Sequence, residues 1–271
     1  MNKQILIKKA SGELEPFSEE KLRRSLGRVK ALPDVADKIV SHIVGELKDG
    51  TSTHDIYEHA FTQLGRYDRP AAGKYSLKRA IMELGPTGHP FEKLVSEILK
   101  TKGFSTQVGV MVQGICVSHE VDIVAGKENR HIMVECKFHN QPGTKSDVKT
   151  TLYVQARFED VQTRKFHEAW LVTNTKLTSD AISYAQCVGM KAIGWSYPAN
   201  ESLEILIDQS GLHPVTCLTT LSVSNKQNLL NKNIVLCKEL SQDKSLLQTL
   251  GLGATQVDQV GQEIKELCKT Q

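Results

Sequence analysis

Apolar and polar residues alternate along two short stretches, HEVDIVA at 119–125 and HIMVECKF at 131–138, which are separated by the polar turn GKENR. A period of two marks strands with one buried face, and the short turn predicts a hairpin. On the second strand Ile132, Val134, Cys136 and Phe138 take one side, and His131, Met133, Glu135, Lys137 and His139 the other. Upstream, FEKLVSEILKTKG carries Phe91, Leu94, Val95, Ile98 and Leu99 at helical spacing and stops at Gly103. Downstream the pattern runs helix (146–166), strand (EAWLVTN), helix capped by Thr178, strand (KAIGWSY) and helix (ESLEILIDQ). Strands alternating with helices after a hairpin predict an α/β domain built on a mixed sheet.

The chain opens with another predicted hairpin, QILIKK and ELEPF around Ala10-Ser11-Gly12. Four helices should follow: one capped by Ser18, one opened by Pro33-Asp34, one capped by Thr53, and one over AAGKYSLKRAIMEL with Pro70 in its first turn. Two glycines and two prolines in the run 85–90 then break both periods. The expected organisation is a small α+β module of a hairpin covered by four helices (1–85), an α/β domain (86–212) and a helical extension (213–271). In the extension Gly251-Leu252-Gly253 resembles half of a helix-hairpin-helix without its basic residues, and an ordinary turn with a glycine stop is the simpler account.

A chain of 271 residues with 39% hydrophobic and 24% charged residues belongs with globular proteins. The longest apolar runs, VDIVA and LEILI, fall far short of the ~20 residues of a bilayer span, and the N-terminus lacks a cleavage-site pattern. Six cysteines without a C-x-x-C pair suggest thiols in a reducing compartment, so a cytoplasmic protein is expected. The formal net charge of +3 lies wholly within residues 1–85. A polyanion would therefore meet the α/β domain through local patches rather than a bulk field.

Asp122 lies on the first strand of the central hairpin, while Glu135 and Lys137 share a face of the second. Two carboxylates and an ammonium at one end of a sheet suit a hard divalent cation, Mg2+ or Mn2+, and phosphodiester hydrolysis, with the lysine offsetting charge in the transition state. The plainer alternative is a solvated strand face; the strongly apolar neighbours of the trio weigh against it. Glu120 shares the parity of Asp122 and reads as solvated. Zinc held by His119, His131, His139 and Cys116 is improbable, because these residues diverge and include no tight ligand pair.

The succession FEKLVSEILKTKGF, HEVDIVA, VECKF and LVTNTKLTSDAISYA resembles the catalytic domain of Mrr-type restriction endonucleases, in the PD-(D/E)XK nuclease superfamily, over about 88–212. The resemblance implies a magnesium-dependent DNA endonuclease. Asp122, Glu135 and the backbone carbonyl of Cys136 would bind the metal, Glu92 would complete the site and Lys137 would position the nucleophile. Gln155 would be a further catalytic residue on the inner face of the next helix, following Val148 and Leu152. Lys145, Lys149, Arg157, Arg164 and Lys165 are candidate phosphate contacts.

Residues 1–85 resemble the ATP-cone of ribonucleotide reductases through Ile7-x-Lys9-x-x-Gly12-x-x-Glu15-x-Phe17-x-x-x-Lys21-Leu22, Thr53-x-Asp55-Ile56 and Tyr75. This implies ATP or dATP as an allosteric ligand of Ile7, Lys9, Glu15, Phe17, Lys21, Leu22 and Thr53. The lysines would neutralise the triphosphate, and Phe17 and Ile7 would sandwich the purine. The turn reads Lys9-Ala10-Ser11-Gly12 where the family has Lys-Arg-Asp-Gly, one cationic contact fewer. The combined expectation is a restriction-type nuclease, homo-oligomeric, with DNA and a nucleoside triphosphate as partners and no membrane. The alternatives are a nucleotide-sensing DNA-binding regulator that does not cut and a repair nuclease for branched or damaged DNA.

Overall fold

The computed structural model describes residues 4–9, 11–161, 166–243 and 245–270. Strands β1 (Leu6–Lys8) and β2 (Leu14–Pro16) pair antiparallel, with Ile7 opposite Glu15. Five helices follow: α1 (Glu19–Arg28), α2 (Pro33–Glu46), α3 (Thr53–Tyr67), α4 (Arg69–Tyr75) and α5 (Leu77–Met82). Ser18 caps α1 as expected, its hydroxyl accepting from the Lys21 amide at 3.2 Å. Thr53 is not the cap of α3. Ser52 holds that place in extended backbone, accepting from the Asp55 amide at 3.0 Å while the Asp55 carboxylate reaches back to it, so Thr53 is the first helical residue. The expected fourth helix is interrupted at Ser76, whose hydroxyl donates to the Gly73 carbonyl at 3.0 Å and competes with the helical ladder.

Leu22, Leu26, Ile39, Val40, Ile43, Ala60 and Leu64 form the core of this first part. Helix α5 belongs elsewhere: its Leu77, Ala80 and Ile81, with Leu84 just beyond, pack in the same cluster as Phe91, Leu94 and Ile98 of α6 (His89–Thr101). The run 85–90 is therefore a tight turn between two helices of one core.

The strands after α6 are β3 (Ser105–Gln113), β4 (Ser118–Lys127), β5 (Arg130–Lys137) and β6 (Lys145–Ser146), followed by α7 (Val148–Val161), β7 (Glu168–Thr173), β8 (Lys176–Leu177), α8 (Ser179–Cys187), β9 (Lys191–Ile193) and α9 (Leu203–Ser210). The main sheet has the order β3-β4-β5-β7-β9; its first three strands are antiparallel, and β7 and β9 run parallel to β5. This is the predicted mixed α/β architecture with β3 unforeseen in the main sheet and the short parallel pair β6–β8 unforeseen beside it. β3 is an edge strand with Val108 and Met111 exposed and Gly109 at φ +66°, so its sequence lacks clean alternation. One face of the sheet buries Ile123, Ile132, Val134, Trp170 and Val172 beneath α6 and α9, while the other buries Val121, Met133 and Leu171 against α7 and α8.

The expected inner face of α7 is corrected. Thr151, Val154 and Val161 are the buried positions, whereas Leu152 is 46% exposed and Gln155 donates along the helix to Glu159 at 3.0 Å. An apolar side chain on the solvent side had shifted the apparent phase.

The extension is helical as expected: α10 (Val223–Asn231), α11 (Cys237–Gln242), α12 (Ser245–Gln248) and α13 (Ala254–Leu267). Gly251, at φ +70°, and Gly253 turn the chain into α13. Among the described residues no helix is long and apolar enough to cross a membrane. Glu263 of α13 is buried at 4% exposure and accepts four bonds, from the amides and hydroxyls of Thr219 and Thr220, at 2.5–3.0 Å. That carboxylate docks α13 onto the preceding loop, and its removal leaves two part-buried amides without their partner. Glu263→Ala should lower unfolding stability by about 3 kcal/mol, measured by urea denaturation followed by circular dichroism; a loss below about 0.5 kcal/mol would show that the carboxylate does not hold the helix.

Candidate active site

The β4–β5 ladder runs from the pair Lys127–Arg130 to the pair Ile123–Val134 and ends there, although both strands continue. Beyond that point β4 remains paired with β3, and β5 with β7. The two central strands thus part, and the Cys136 amide that would have faced a carbonyl of β4 donates instead to Asp122 Oδ2 at 2.7 Å. Asp122 faces Gly109 in register across β3, and the left-handed backbone of that glycine marks a twist at which Val121 enters one core and Ile123 the other.

Side chains from four elements meet in the opened notch. Asp122 comes from β4, and Glu135 and Lys137 from β5. Arg157 of α7 donates to Glu135 Oε2 at 2.6 Å and to the Glu120 carbonyl at 3.0 Å. Glu92 of α6, 15% exposed and 3.1 Å from His89 Nδ1, lies close enough to raise the Asp122 pKa by its charge. Burial pushes Asp122 up to about 6, opposed by the Cys136 amide and reinforced by Glu92. Burial, together with the charge of Asp122, pushes Glu135 up to about 7 against the pull of Arg157 and Lys137. Lys137 is exposed and makes no ion pair or hydrogen bond among the described residues. The Cys136 side chain packs into the core on the α6 face, which leaves only its backbone at the notch.

The two half-buried carboxyls of raised pKa draw on little positive charge, Arg157 for both and Lys137 for Glu135. Asp122, Glu135 and Glu92 offer hard oxygen donors, the set that suits magnesium or manganese.

Among the described residues, the other expected ones take different partners or face solvent. Gln155 turns along α7 toward Glu159. Lys145 and Lys149 are exposed, and Arg164 and Lys165 lie outside the described residues. His119, weighed above as a zinc ligand, pairs with Asp160 at 2.7 Å. Asp160 also accepts from the Cys116 and Val117 amides at 2.6 and 3.2 Å, which with His119 hold its carboxyl well below the usual range. A side chain on Gly114 would strike the Asp160 carboxylate, so glycine is required where this turn meets α7. In the first part of the chain, Ile7 and Leu22 are buried, Phe17 packs on the core, and Lys9 and Lys21 both pair with Glu15, at 2.8 and 3.5 Å.

Two features escaped the sequence reading. Arg157, expected beside the site as a phosphate contact, is also a partner of Glu135. The segment after Lys137 is fastened by the wholly buried Asn174, which accepts from the His139 amide and donates to the His139 carbonyl, both at 2.8 Å. Ser146 joins the same network, 3.0 Å from His139 Nε2 and 3.1 Å from Thr173 Oγ1. The available signal was the polar run Thr173-Asn174-Thr175 directly after an apolar strand.

Residues 85–193 match the restriction endonuclease family, and residues 213–268 match the family described as AF1548-like, C-terminal. An uncharacterised protein of Archaeoglobus fulgidus is 38% identical over 174 residues, covering 64% of this chain and 99% of the relative. The crystal structure of AF1548, a protein of unknown function, superposes with a TM-score of 0.57 at 36% identity, covering 67% of this chain and 98% of the other. With nearly the full length of each relative matched, the chain belongs to the AF1548 family and carries a nuclease domain of restriction-endonuclease type.

Proposed function

We propose that the chain is a metal-dependent DNA endonuclease of restriction type, acting at the notch between β4 and β5. The observation that carries this reading is the convergence of two carboxylates of raised pKa with an unpaired lysine where the strands part. Asp122, Glu135 and Glu92 would hold Mg2+ or Mn2+, with the Cys136 carbonyl beside them. A bound divalent ion supplies Lewis-acid stabilisation of charge on the phosphoryl oxygens. Lys137 adds an ammonium to the same space, where it can orient an attacking water and offset charge on the phosphate. Arg157 acts through Glu135: its 2.6 Å contact fixes the carboxylate and favours the ionised form.

The first module is proposed to respond to a nucleotide, as an ATP-cone would. What supports this is the gathering of Lys9 and Lys21 on one carboxylate, Glu15, beside the hairpin. Exposed pairs of this kind are weakly held, so a triphosphate can take the lysines from Glu15 at small cost.

Asp122→Ala and Lys137→Ala should each reduce magnesium-dependent cleavage of plasmid DNA at least ~100-fold with the circular dichroism spectrum intact; full activity in either variant would refute the site. The pH dependence has a definite sign. Both carboxylates have folded pKa values above their unfolded ones, so their contribution to stability is complete below the unfolded carboxylate range and is lost as pH rises through about 6 to 7. For these groups, melting temperature without divalent metal should fall from about pH 5 to about pH 8, while stabilisation by added magnesium should grow over that interval as protons leave the ligands. Thermal scans with and without magnesium measure this, and Asp122→Asn should abolish the magnesium-dependent part. For the first module, millimolar ATP or dATP should raise the melting temperature and Lys9→Ala should weaken the effect; no shift with either nucleotide would exclude binding.

A further inference from the structure

A second cluster of ligating side chains lies far from this chemistry in sequence, on the facing helices α2 and α3. His42 and Glu46 are four residues apart on α2, so they share a face, and His59 meets them from α3. His42 Nε2 lies 3.7 Å from Glu46 Oε1, and His59 Nε2 lies 3.5 Å from Glu46 Oε2. The two imidazoles stand edge to face, with centroids 4.8 Å apart at 81°. Among the described residues this is the one group of three His, Cys, Asp or Glu side chains whose ligand atoms all lie within 4.8 Å of one another.

We propose that His42, Glu46 and His59 form a zinc site that clips α2 to α3. Tetrahedral zinc with bonds of about 2.0–2.1 Å places its donor atoms about 3.4 Å apart. The two distances to Glu46, 3.7 and 3.5 Å, exceed that by a few tenths of an ångström and the histidine pair lies within 4.8 Å, gaps that rotations of exposed side chains can close. Two imidazoles and one carboxylate favour zinc over magnesium, which prefers oxygen donors throughout. The fourth position is supplied by water, and Gln63 Nε2, 3.4 Å from His59 Nε2 one turn along α3, gives up that contact when the ion takes the ring nitrogen. The donors are exposed by 43%, 59% and 29% for His42, Glu46 and His59, so an ion reaches them without unfolding the helices. This inference is independent of the nuclease reading, because it uses no residue of the notch.

The test is zinc titration of the metal-stripped, full-length protein, free of any histidine tag, against a chromophoric chelator in excess magnesium. One equivalent of zinc should bind. His42→Ala/His59→Ala should lose that equivalent, and Glu46→Gln should weaken it at least ~10-fold. Cys116→Ser/Cys187→Ser, which removes the two exposed thiols, should leave it unchanged. Should the double histidine variant fail to fold, the exposed His42→Ala alone gives the same reading. Cobalt in place of zinc should give visible bands without thiolate charge transfer. Failure to bind an equivalent, its retention without the histidines, or its loss with the cysteines would overturn the proposal.

Discussion

The hydrogen bond from the Cys136 amide to Asp122 permits the central strands to separate without leaving a buried donor unpaired. Backbone amides taken from a sheet ladder need a replacement partner. A carboxylate supplies a charge-assisted one, so the side chain that closes the gap in the ladder is also one whose free oxygen faces the notch. Structure and chemistry share one atom group here. Glu135 and Lys137 reach the same notch because they are spaced by two on a strand, and α6 and α7 wall it from opposite faces of the sheet.

Charge balance shapes the surroundings of the notch. Burial alone would favour neutral carboxyls at Asp122 and Glu135; Arg157 restores part of the lost stabilisation for both of them. The remaining imbalance has a structural cost, borne by the two cores that hold the strands apart. Asn174, Ser146 and Thr173 contribute by fixing the segment that follows Lys137, as a side-chain substitute for the ladder that ends there. Asp160 does the corresponding work at the start of β4, tying the β3–β4 turn to α7.

The hairpin, α6 and the strand–helix succession were legible because each presents a regular period over seven or more residues. That Asp122, Glu135 and Lys137 lie near one another was legible for the same reason, since strand parity places Glu135 and Lys137 together and a hairpin adds Asp122. Other features depend on tertiary context. β3 has an edge position that leaves Val108 and Met111 in solvent, which erases the alternation. The phase of α7 was obscured by exposed Leu152. The partner of Arg157 is set by where α7 docks, and nothing local in the sequence specifies it. Ser52 and Thr53 are adjacent residues of equal capping chemistry, and only the position of Asp55 in a capping box separates them.

Helix α5 follows the first module in sequence but contributes four apolar side chains, with Leu84, to the nuclease core. Burial of four such residues stabilises by several kcal/mol, of the same order as the net stability of a whole domain. The first module is consequently built onto the α/β domain rather than hung from it on a tether. A cut in the run 85–88 would part α5 from the core it helps to fill, so the seam between the two parts lies ahead of α5 and not at the glycine–proline run.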